Sequence, residues 1–358
     1  MTARLWDLYC RVVDNWGDVG VCWRLAADLA ARGESVRLRI DDASALAWMA
    51  PHGMPGVGVL PWTAAPPDLE PGDVVIEMFG CRLPDAFVAR MAARTPPPRW
   101  INLEYLSAED YVERSHRLRS PQTTGPGAGL VKWFYYPGFT PATGGLIREP
   151  DLMQRRAAFD ARTWLRSLGI EPDDGEQRIS LFCYPGAPLE RLLDAAARTP
   201  TLLLATTGAA ADLVRSHLGS DLRCGRLRAV VLPALSQTDY DRLLWACDLN
   251  FVRGEDSFVR AQWAGVPFVW QIYPQADDVH ARKLHAFLDR HLALADDAAF
   301  AARLRALWSA WNGLAPAHEA WPERGRWSAL ARDWRETLLR QADLTTQLIA
   351  FVDDSRYN

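Results

Sequence analysis

Paired cysteines, long apolar runs and an excess of positive charge are all missing from this sequence. Its six cysteines contain no Cys-x-x-Cys pair and no zinc-finger spacing, which argues against a zinc site and a disulfide framework. No apolar stretch is long enough to span a bilayer, and the first residues, 1–7, lack the apolar core of a signal peptide. We therefore expect a reduced, cytoplasmic protein that makes no membrane contact.

The charge balance and the missing motifs disfavour further classes. The 358 residues carry a formal net charge of −4, so no overall positive field would draw the chain onto nucleic acid. There is no P-loop, no Gly-x-Gly-x-x-Gly after a strand, no His-Glu-x-x-His and no Gly-x-Ser-x-Gly. Kinases, ordinary NAD-dependent oxidoreductases, zinc proteases and serine hydrolases all become less probable.

Strands and helices alternate along most of the chain, a pattern typical of parallel sheets with helices on both faces. The sequence predicts a strand over 5–13, a helix over 19–32 and a strand over 35–40. Prolines and glycines interrupt the alternation between residues 120 and 149, and it restarts with a strand at 179–183. A chain of this length accommodates two cores better than one.

We expect an α/β fold of two doubly wound, Rossmann-like domains, at 1–150 and 151–335. A last helix, at 336–358, is expected to pack back on the first domain. Ligands of such sheets bind at the carboxyl ends of strands, beside helix N-termini. The loops selected by this rule follow Val13, Cys183 and Val252.

The first of these loops carries Asp14 and Asp18, two carboxylates four residues apart at a strand-to-helix turn. The spacing leaves two interpretations equally open. Asp18 can be an N-cap and Asp14 a turn former. Alternatively, the pair can hold a cation or a guanidinium and supply a base.

The loop after Val252 reads Arg-Gly-Glu-Asp-Ser and leads into a helix that starts near Ser257. Free backbone N–H groups and a hydroxyl there suit a diphosphate, and Arg253 can add charge-assisted hydrogen bonds. A diphosphate would repel Glu255, so hydroxyls of a ribose or sugar are its better partners. From spacing alone, Glu255 and Asp256 are favoured as first-turn acids that complement the helix dipole.

Two other turns carry aromatic or polar side chains. Tyr184 follows a predicted strand and can touch a base or sugar, although aromatic residues at strand ends more often belong to the core or its rim. The turn at 275–277 carries side chains that can bind hydroxyls, and an ordinary capped loop explains it equally well.

Taken together, these segments resemble the elongation factor P arginine rhamnosyltransferase (EarP) family. The stretches that carry the resemblance are 10–25, 100–107, 137–141, 181–184 and 247–257. They extend over most of the chain, and the first and last are long. The resemblance implies a GT-B glycosyltransferase, with two Rossmann-like domains facing a cleft.

The resemblance also implies a reaction. The donor would be dTDP-β-L-rhamnose, and the acceptor an arginine side-chain nitrogen of translation elongation factor P, with inversion at the anomeric carbon. The N-terminal domain would receive the protein acceptor and the C-terminal domain would hold the nucleotide sugar. No cofactor, metal ion, nucleic acid or membrane is implied.

Specific residues receive roles from the resemblance. Asp18 would be the base and Asp14 its partner in binding the arginine, with Glu255 as a third catalytic candidate. The donor-binding candidates are Tyr184, Gln237, Arg253, Glu255, Asp256 and Ser257.

The chain departs from the family pattern at two positions. Ala234 stands where an aromatic residue is expected beside the thymine, which makes Tyr240 the candidate for stacking, and Ala276 stands where glutamate is expected. One alternative is a GT-B enzyme with another sugar nucleotide or acceptor. Another is a non-catalytic protein that binds elongation factor P, which the intact acidic motifs disfavour.

Overall fold

Each half of the sequence folds around its own, mainly parallel sheet. The computed structural model describes residues 3–62, 69–274, 279–316 and 321–354. Its strands are β1 (Leu5–Cys10), β2 (Ser35–Ile40), β3 (Val57–Pro61), β4 (Val74–Met78), β5 (Arg99–Leu103), β6 (Leu118–Pro121), β7 (Val131–Tyr135), β8 (Gln177–Leu181), β9 (Thr201–Ala205), β10 (Arg223–Cys224), β11 (Leu227–Val231), β12 (Leu249–Arg253) and β13 (Phe268–Gln271). Its helices are α1 (Asn15–Ala31), α2 (Leu46–Met49), α3 (Asp85–Ala93), α4 (Tyr111–Ser115), α5 (Leu152–Ala157), α6 (Ala161–Ser167), α7 (Leu189–Ala196), α8 (Ala209–Leu218), α9 (Gln237–Ala246), α10 (Asp256–Ala264), α11 (Val279–Leu292), α12 (Ala298–Trp311), α13 (Arg324–Leu339) and α14 (Leu344–Asp353).

The chain forms two compact units. One unit contains Met1–Glu149 together with Arg340–Asn358, and the other contains Pro150–Leu339. The second unit continues past residue 335, where the sequence analysis placed its end, because α13 runs without a break to Leu339.

Both sheets have a doubly wound strand order. Among the described residues, the N-terminal sheet has the order β3-β2-β1-β4-β5-β7-β6, and only β6 runs antiparallel to its neighbour. The C-terminal sheet has the order β10-β11-β9-β8-β12-β13, with β10 antiparallel. The central strands β4 and β9 are buried along their whole length, as expected for parallel strands covered on both faces. The predicted α/β class is thereby confirmed.

The end of the chain belongs to the core of the N-terminal unit. Phe351 of α14 packs against Trp133 and Tyr135 of β7, with ring centroids 5.5 and 5.6 Å apart. Arg32, just after α1, donates a hydrogen bond of 2.8 Å to Asp343, the N-cap of α14. Within the described residues, no helix combines the length and apolar character needed to cross a lipid bilayer.

Candidate active site

The loop between β1 and α1 brings the two predicted aspartates onto one helix start. β1 ends at Cys10 and α1 begins at Asn15, so the expected strand to Val13 and helix from Val19 were wrong at this junction. Asp14 occupies the N-cap position and Asp18 lies in the first turn of the helix. Asp18 is therefore not the N-cap of α1, and helix capping does not account for it.

The Asp18 carboxylate organises this loop from inside the helix. Its Oδ2 accepts hydrogen bonds from the backbone N–H groups of Val13 and Asp14, at 2.8 and 2.9 Å. These bonds hold the backbone of Val13 and Asp14 against the first turn of α1. Only 2% of the Asp18 residue surface is exposed.

The surroundings of Asp18 determine its proton affinity. Burial raises the pKa of its carboxyl above the ordinary value, and the negative charge of Asp41 acts in the same direction. The hydrogen bonds from the two backbone donors act in the opposite direction, as does the Tyr105 hydroxyl, without cancelling the effect of burial on the pKa. A carboxylate with a raised pKa is a stronger base than an ordinary exposed one.

Gly17 leaves space for the second carboxylate. A Cβ added at Gly17 would lie 2.7 Å from Oδ2 of Asp14, which is closer than nonbonded atoms approach. The Gly17 N–H donates to the Asp14 carbonyl oxygen at 2.7 Å. The Asp14 carboxylate thus rests over a position that only glycine leaves open.

The ends of β4 and β5 carry an aromatic pair that the sequence analysis did not identify. Phe79, directly after β4, has φ of 58°, a left-handed conformation that is uncommon for a non-glycine residue. Its ring stacks on Tyr105, with centroids 4.2 Å apart and an interplanar angle of 7°. A backbone strain of about 1–3 kcal/mol at such a residue persists only where the surrounding structure holds it.

In the C-terminal unit, Arg253 lies between two aromatic rings at the ends of β8 and β12. Its guanidinium carbon is 4.5 Å from the ring centroid of Phe182 and 4.4 Å from that of Tyr184. Its Nη1 donates to the carbonyl oxygen of Cys183 at 3.2 Å. The guanidinium is therefore held in place before any anion is bound, with part of the residue still exposed.

Helix α10 begins at Asp256, next to the helix start near Ser257 that the sequence predicted. The Ser257 hydroxyl donates to the Arg253 carbonyl oxygen and accepts the Arg253 N–H at 3.1 Å. Glu255 occupies the N-cap position of α10, and its side chain does not cap the helix. Gly254, with φ of 65°, allows the chain to turn from β12 into α10.

Asp256 belongs to a buried ion network. Its Oδ2 accepts hydrogen bonds from Arg260 at 2.8 Å and from Gln237 at 3.2 Å. Arg260 also donates to Asp241 at 2.9 Å, and only 3% of Arg260 is exposed. The network joins the first turns of α9 and α10 and so positions Gln237 beside the Arg253–Ser257 turn.

The two positions considered for thymine stacking, Tyr240 and Ala234, lie in different surroundings. Tyr240 of α9 packs edge-to-face on Phe182, with centroids 5.7 Å apart, and contributes to the apolar core. Ala234 is exposed. Tyr184 also contacts Tyr273 edge-to-face at 5.5 Å. The turn at 275–277 lies outside the described residues.

In the part of the chain that the structure describes, no three His, Cys, Asp or Glu side chains come together as a metal site requires. Each of the two units instead presents its own cluster of side chains, and the two clusters suit different chemical groups. The N-terminal unit presents paired carboxylates, one of them buried and basic, which suits a guanidinium. The C-terminal unit presents a helix N-terminus, an arginine and aromatic rings, which suit a nucleoside diphosphate.

This fold is that of a glycosyltransferase of the GT-B class. A solved structure described as the structural basis for EarP-mediated arginine glycosylation of translation elongation factor EF-P matches 98% of this chain and 99% of that one, with a TM-score of 0.69 and 34% identity. The spinosyn rhamnosyltransferase SpnG, solved with spinosyn aglycone, matches 97% of this chain and 99% of its own at a TM-score of 0.52. At 14% identity, that second likeness concerns the fold alone.

Sequence comparison specifies the family. The family model described as Elongation-Factor P (EF-P) rhamnosyltransferase EarP matches residues 6–353. A protein-arginine rhamnosyltransferase of Pseudomonas putida is 46% identical over an alignment of 378 residues, covering 98% of this chain and 99% of the relative. That of Pseudomonas aeruginosa is 44% identical with the same coverage. The chain belongs to the EarP family, and the predicted membership is confirmed.

Proposed function

We propose that this glycosyltransferase moves L-rhamnose from dTDP-β-L-rhamnose to an arginine side chain of elongation factor P, with inversion, in the cytoplasm. The observation that carries the proposal is the buried Asp18 beside Asp14, in a chain of the EarP family. The relatives named above are protein-arginine rhamnosyltransferases. Paired carboxylates are the side chains that bind a guanidinium in two-point geometry.

The difficulty of the reaction explains why two carboxylates are needed. A guanidinium has a pKa above about 12 and a delocalised lone pair, so it is a poor nucleophile. We propose that Asp14 and Asp18 orient it and localise electron density on one nitrogen. That nitrogen forms a bond to the anomeric carbon while the bond from this carbon to the diphosphate oxygen breaks. The diphosphate leaves with the electron pair, and Asp18 accepts the proton that the nitrogen loses.

The departing diphosphate needs positive partners. We assign this role to Arg253, which two rings already hold in position, and to the N-terminus of α10. Glu255, at the start of the same helix, is assigned to hydroxyls of the sugar or ribose. Tyr184 and Gln237 complete the donor site in this proposal, and no metal ion takes part in it.

The test is intact mass spectrometry of elongation factor P incubated with the protein and dTDP-L-rhamnose. We expect a gain of one deoxyhexose on an arginine, lost in Asp18→Asn and kept in Asp85→Asn, which alters an exposed carboxylate on α3. Parallel reactions with other nucleotide sugars test the donor, and NMR of the product tests inversion. Normal transfer by Asp18→Asn would remove the assigned base. Binding of the acceptor without any transfer would favour a non-catalytic role.

A further inference from the structure

A cavity of about 820 Å³ lies in the N-terminal unit, at the edge of the sheet where β5 and β7 begin. The acidic loop follows β1 at the opposite edge, because β1, β4, β5 and β7 run parallel. The cavity therefore takes no part in the proposed reaction. Its volume lies within the range of about 300–1,000 Å³ that small-molecule sites occupy.

Three arginines line this cavity, from the end of α3, from β5 and from β6, together with one aspartate. Arg94 and Asp73 bind each other, with Nη2 of Arg94 2.6 Å from Oδ1 of Asp73. The other oxygen of Asp73 accepts the Leu5 N–H at 2.9 Å, so both oxygens of this carboxylate are already bonded. Arg99 and Arg119 thus add two positive charges that Asp73 does not balance.

The register of the sheet places Arg99 and Arg119 on one face. Arg119 of β6 pairs with Trp133 of β7, so their side chains project from the same face. Trp133 pairs on its other side with Ile101, and Arg99 precedes Ile101 by two residues, which returns its side chain to that face. The Arg99 guanidinium carbon lies 5.6 Å from the ring centroid of Phe351. The two arginines therefore flank the start of β7 from its two neighbouring strands.

The two arginines differ in how their charge is balanced. Arg119 is exposed, and its guanidinium makes no hydrogen bond or ion pair with any of the described residues. Burial lowers the pKa of the Arg99 guanidinium, while the charge of Asp354, just after α14, acts in the opposite direction. Positive charge thus remains in excess at the cavity, and an anion bound there would stabilise both guanidinium groups.

From this geometry we propose that the cavity is a second ligand site, which binds the phosphate group of a phosphorylated small molecule between Arg99 and Arg119. A phosphate group offers several oxygens to planar guanidinium groups, which bind it in two-point geometry. Pro98, Leu130 and Val352 supply apolar surface for the rest of the molecule. The proposal stands independently of the reaction assigned to the acidic loop.

The first test uses inorganic pyrophosphate, which carries phosphate charge without an organic part. NMR follows the backbone amides of Gly129 and Val131, which line the cavity, with chloride at matched ionic strength as the reference. We expect saturable shifts of both amides in wild type. Arg119→Gln should bind about tenfold more weakly, for the loss of one hydrogen bond to a charged group.

Control variants separate this site from other effects. Arg82→Gln removes an exposed arginine elsewhere in the same unit and should bind pyrophosphate as wild type does. Arg253→Gln alters the proposed donor site and should keep the shifts at Gly129. Since the Arg119 guanidinium is exposed and has no partner among the described residues, Arg119→Gln should keep the Tm of wild type, which excludes misfolding as the cause of weaker binding.

The organic part of the ligand is tested by comparing inorganic phosphate with dTMP and with a hexose phosphate at the same two amides. Tighter binding of either organic phosphate would support a site for phosphorylated small molecules. Unmoved Gly129 and Val131 amides would overturn the inference, as would equal affinity of wild type and Arg119→Gln for pyrophosphate. Preference for a polyglutamate peptide over every phosphate would also overturn it, because the cavity would then be a peptide site.

Discussion

His291 predicts how the stability of the C-terminal unit depends on pH. This residue of α11 is fully buried, and neither of its ring nitrogens has a hydrogen-bond partner among the described residues. Its ring stacks on Phe287 at 5.4 Å and meets Trp334 edge-on at 5.3 Å, with Phe268 and Trp308 completing the apolar surround. No charged group touches the imidazole in this set of contacts, so nothing compensates a proton on it.

The magnitude follows from the difference between the folded and unfolded pKa. Burial lowers the pKa of His291 to about 3, whereas an unfolded histidine titrates near 6.5. Above about pH 6.5 both states are neutral and the residue adds no pH dependence. Below that pH the unfolded chain binds a proton that the folded chain cannot, so the free energy of unfolding decreases until the pH approaches 3. The decrease is about 1.4 kcal/mol per pH unit, or about 2 kcal/mol between pH 7 and pH 5.

The assay compares wild type with His291→Phe, which keeps an aromatic ring and removes the titration. Urea unfolding is measured at pH 7 and at pH 5. Hydrogen exchange of the α11 and α12 amides then assigns the unfolding transition to this unit. Wild type should lose about 2 kcal/mol more than the variant, or about 4–8 °C in Tm. Burial also lowers the pKa of His116 in the other unit, to about 4, but this contribution is the same in both proteins. His52→Gln, at an exposed histidine, is the control.

Equal losses in wild type and His291→Phe would refute the reasoning, because the stability of the folded state would then not depend on excluding this proton. The comparison does not depend on how well phenylalanine packs at pH 7. A packing difference changes the free energy of unfolding by the same amount at pH 7 and at pH 5. It therefore cancels when the loss in the variant is subtracted from the loss in wild type.

Three further predictions concern the ion network, the acidic loop and the proposed absence of a metal. Arg260→Met should cost about 3–5 kcal/mol in urea unfolding, because it removes the buried guanidinium that donates to both Asp256 and Asp241. Arg82→Met, at an exposed pair, should cost less than about 1 kcal/mol, and similar costs for the two variants would contradict this. Gly17→Ala should slow rhamnosyl transfer about tenfold or more by displacing Asp14, while Tm stays equal or rises because alanine favours a helix by up to about 1 kcal/mol. Gly58→Ala, in an open strand position, should change neither, and a normal rate in Gly17→Ala would separate Asp14 from the reaction. Transfer measured after EDTA treatment should keep its rate, and recovery that requires an added divalent ion would contradict the metal-free proposal.

The class of fold could be predicted because the central strands are short apolar runs that need cover on both faces. The edge of the N-terminal sheet that β6 forms could not be predicted. β6 reads Leu-Arg-Ser-Pro, with neither alternation nor a run of apolar residues, and among the described residues it pairs with β7 alone. Proline is tolerated there because an edge strand needs no N–H on its open side. The loop after β1 was equally hidden, because hydrogen bonds from its backbone to the side chains of Asp18 and Asp41 hold it, and strand propensity does not show them.

In the candidate site, too, features that depend on neighbouring residues could be predicted from the sequence, and contacts between distant residues could not. The Arg253–Ser257 turn could be placed at a helix start because strand, glycine and serine follow each other in the chain. The contact of Arg253 with Phe182 could not be predicted, since it requires β8 and β12 to be neighbours, and 70 residues separate the paired Ser180 and Asn250.

The stack of Phe79 on Tyr105 is the clearest case of this limit. No spacing in the sequence connects these residues, and a tyrosine after a strand is ordinarily part of a core or its rim. The connection arises because β4 lies between β1 and β5 in the sheet, so that the carboxyl ends of all three parallel strands meet at one edge. Sequence patterns identify which residues stand at strand ends, but strand order decides which of those residues touch. A contact such as the Phe79–Tyr105 stack therefore becomes visible only once that order is known.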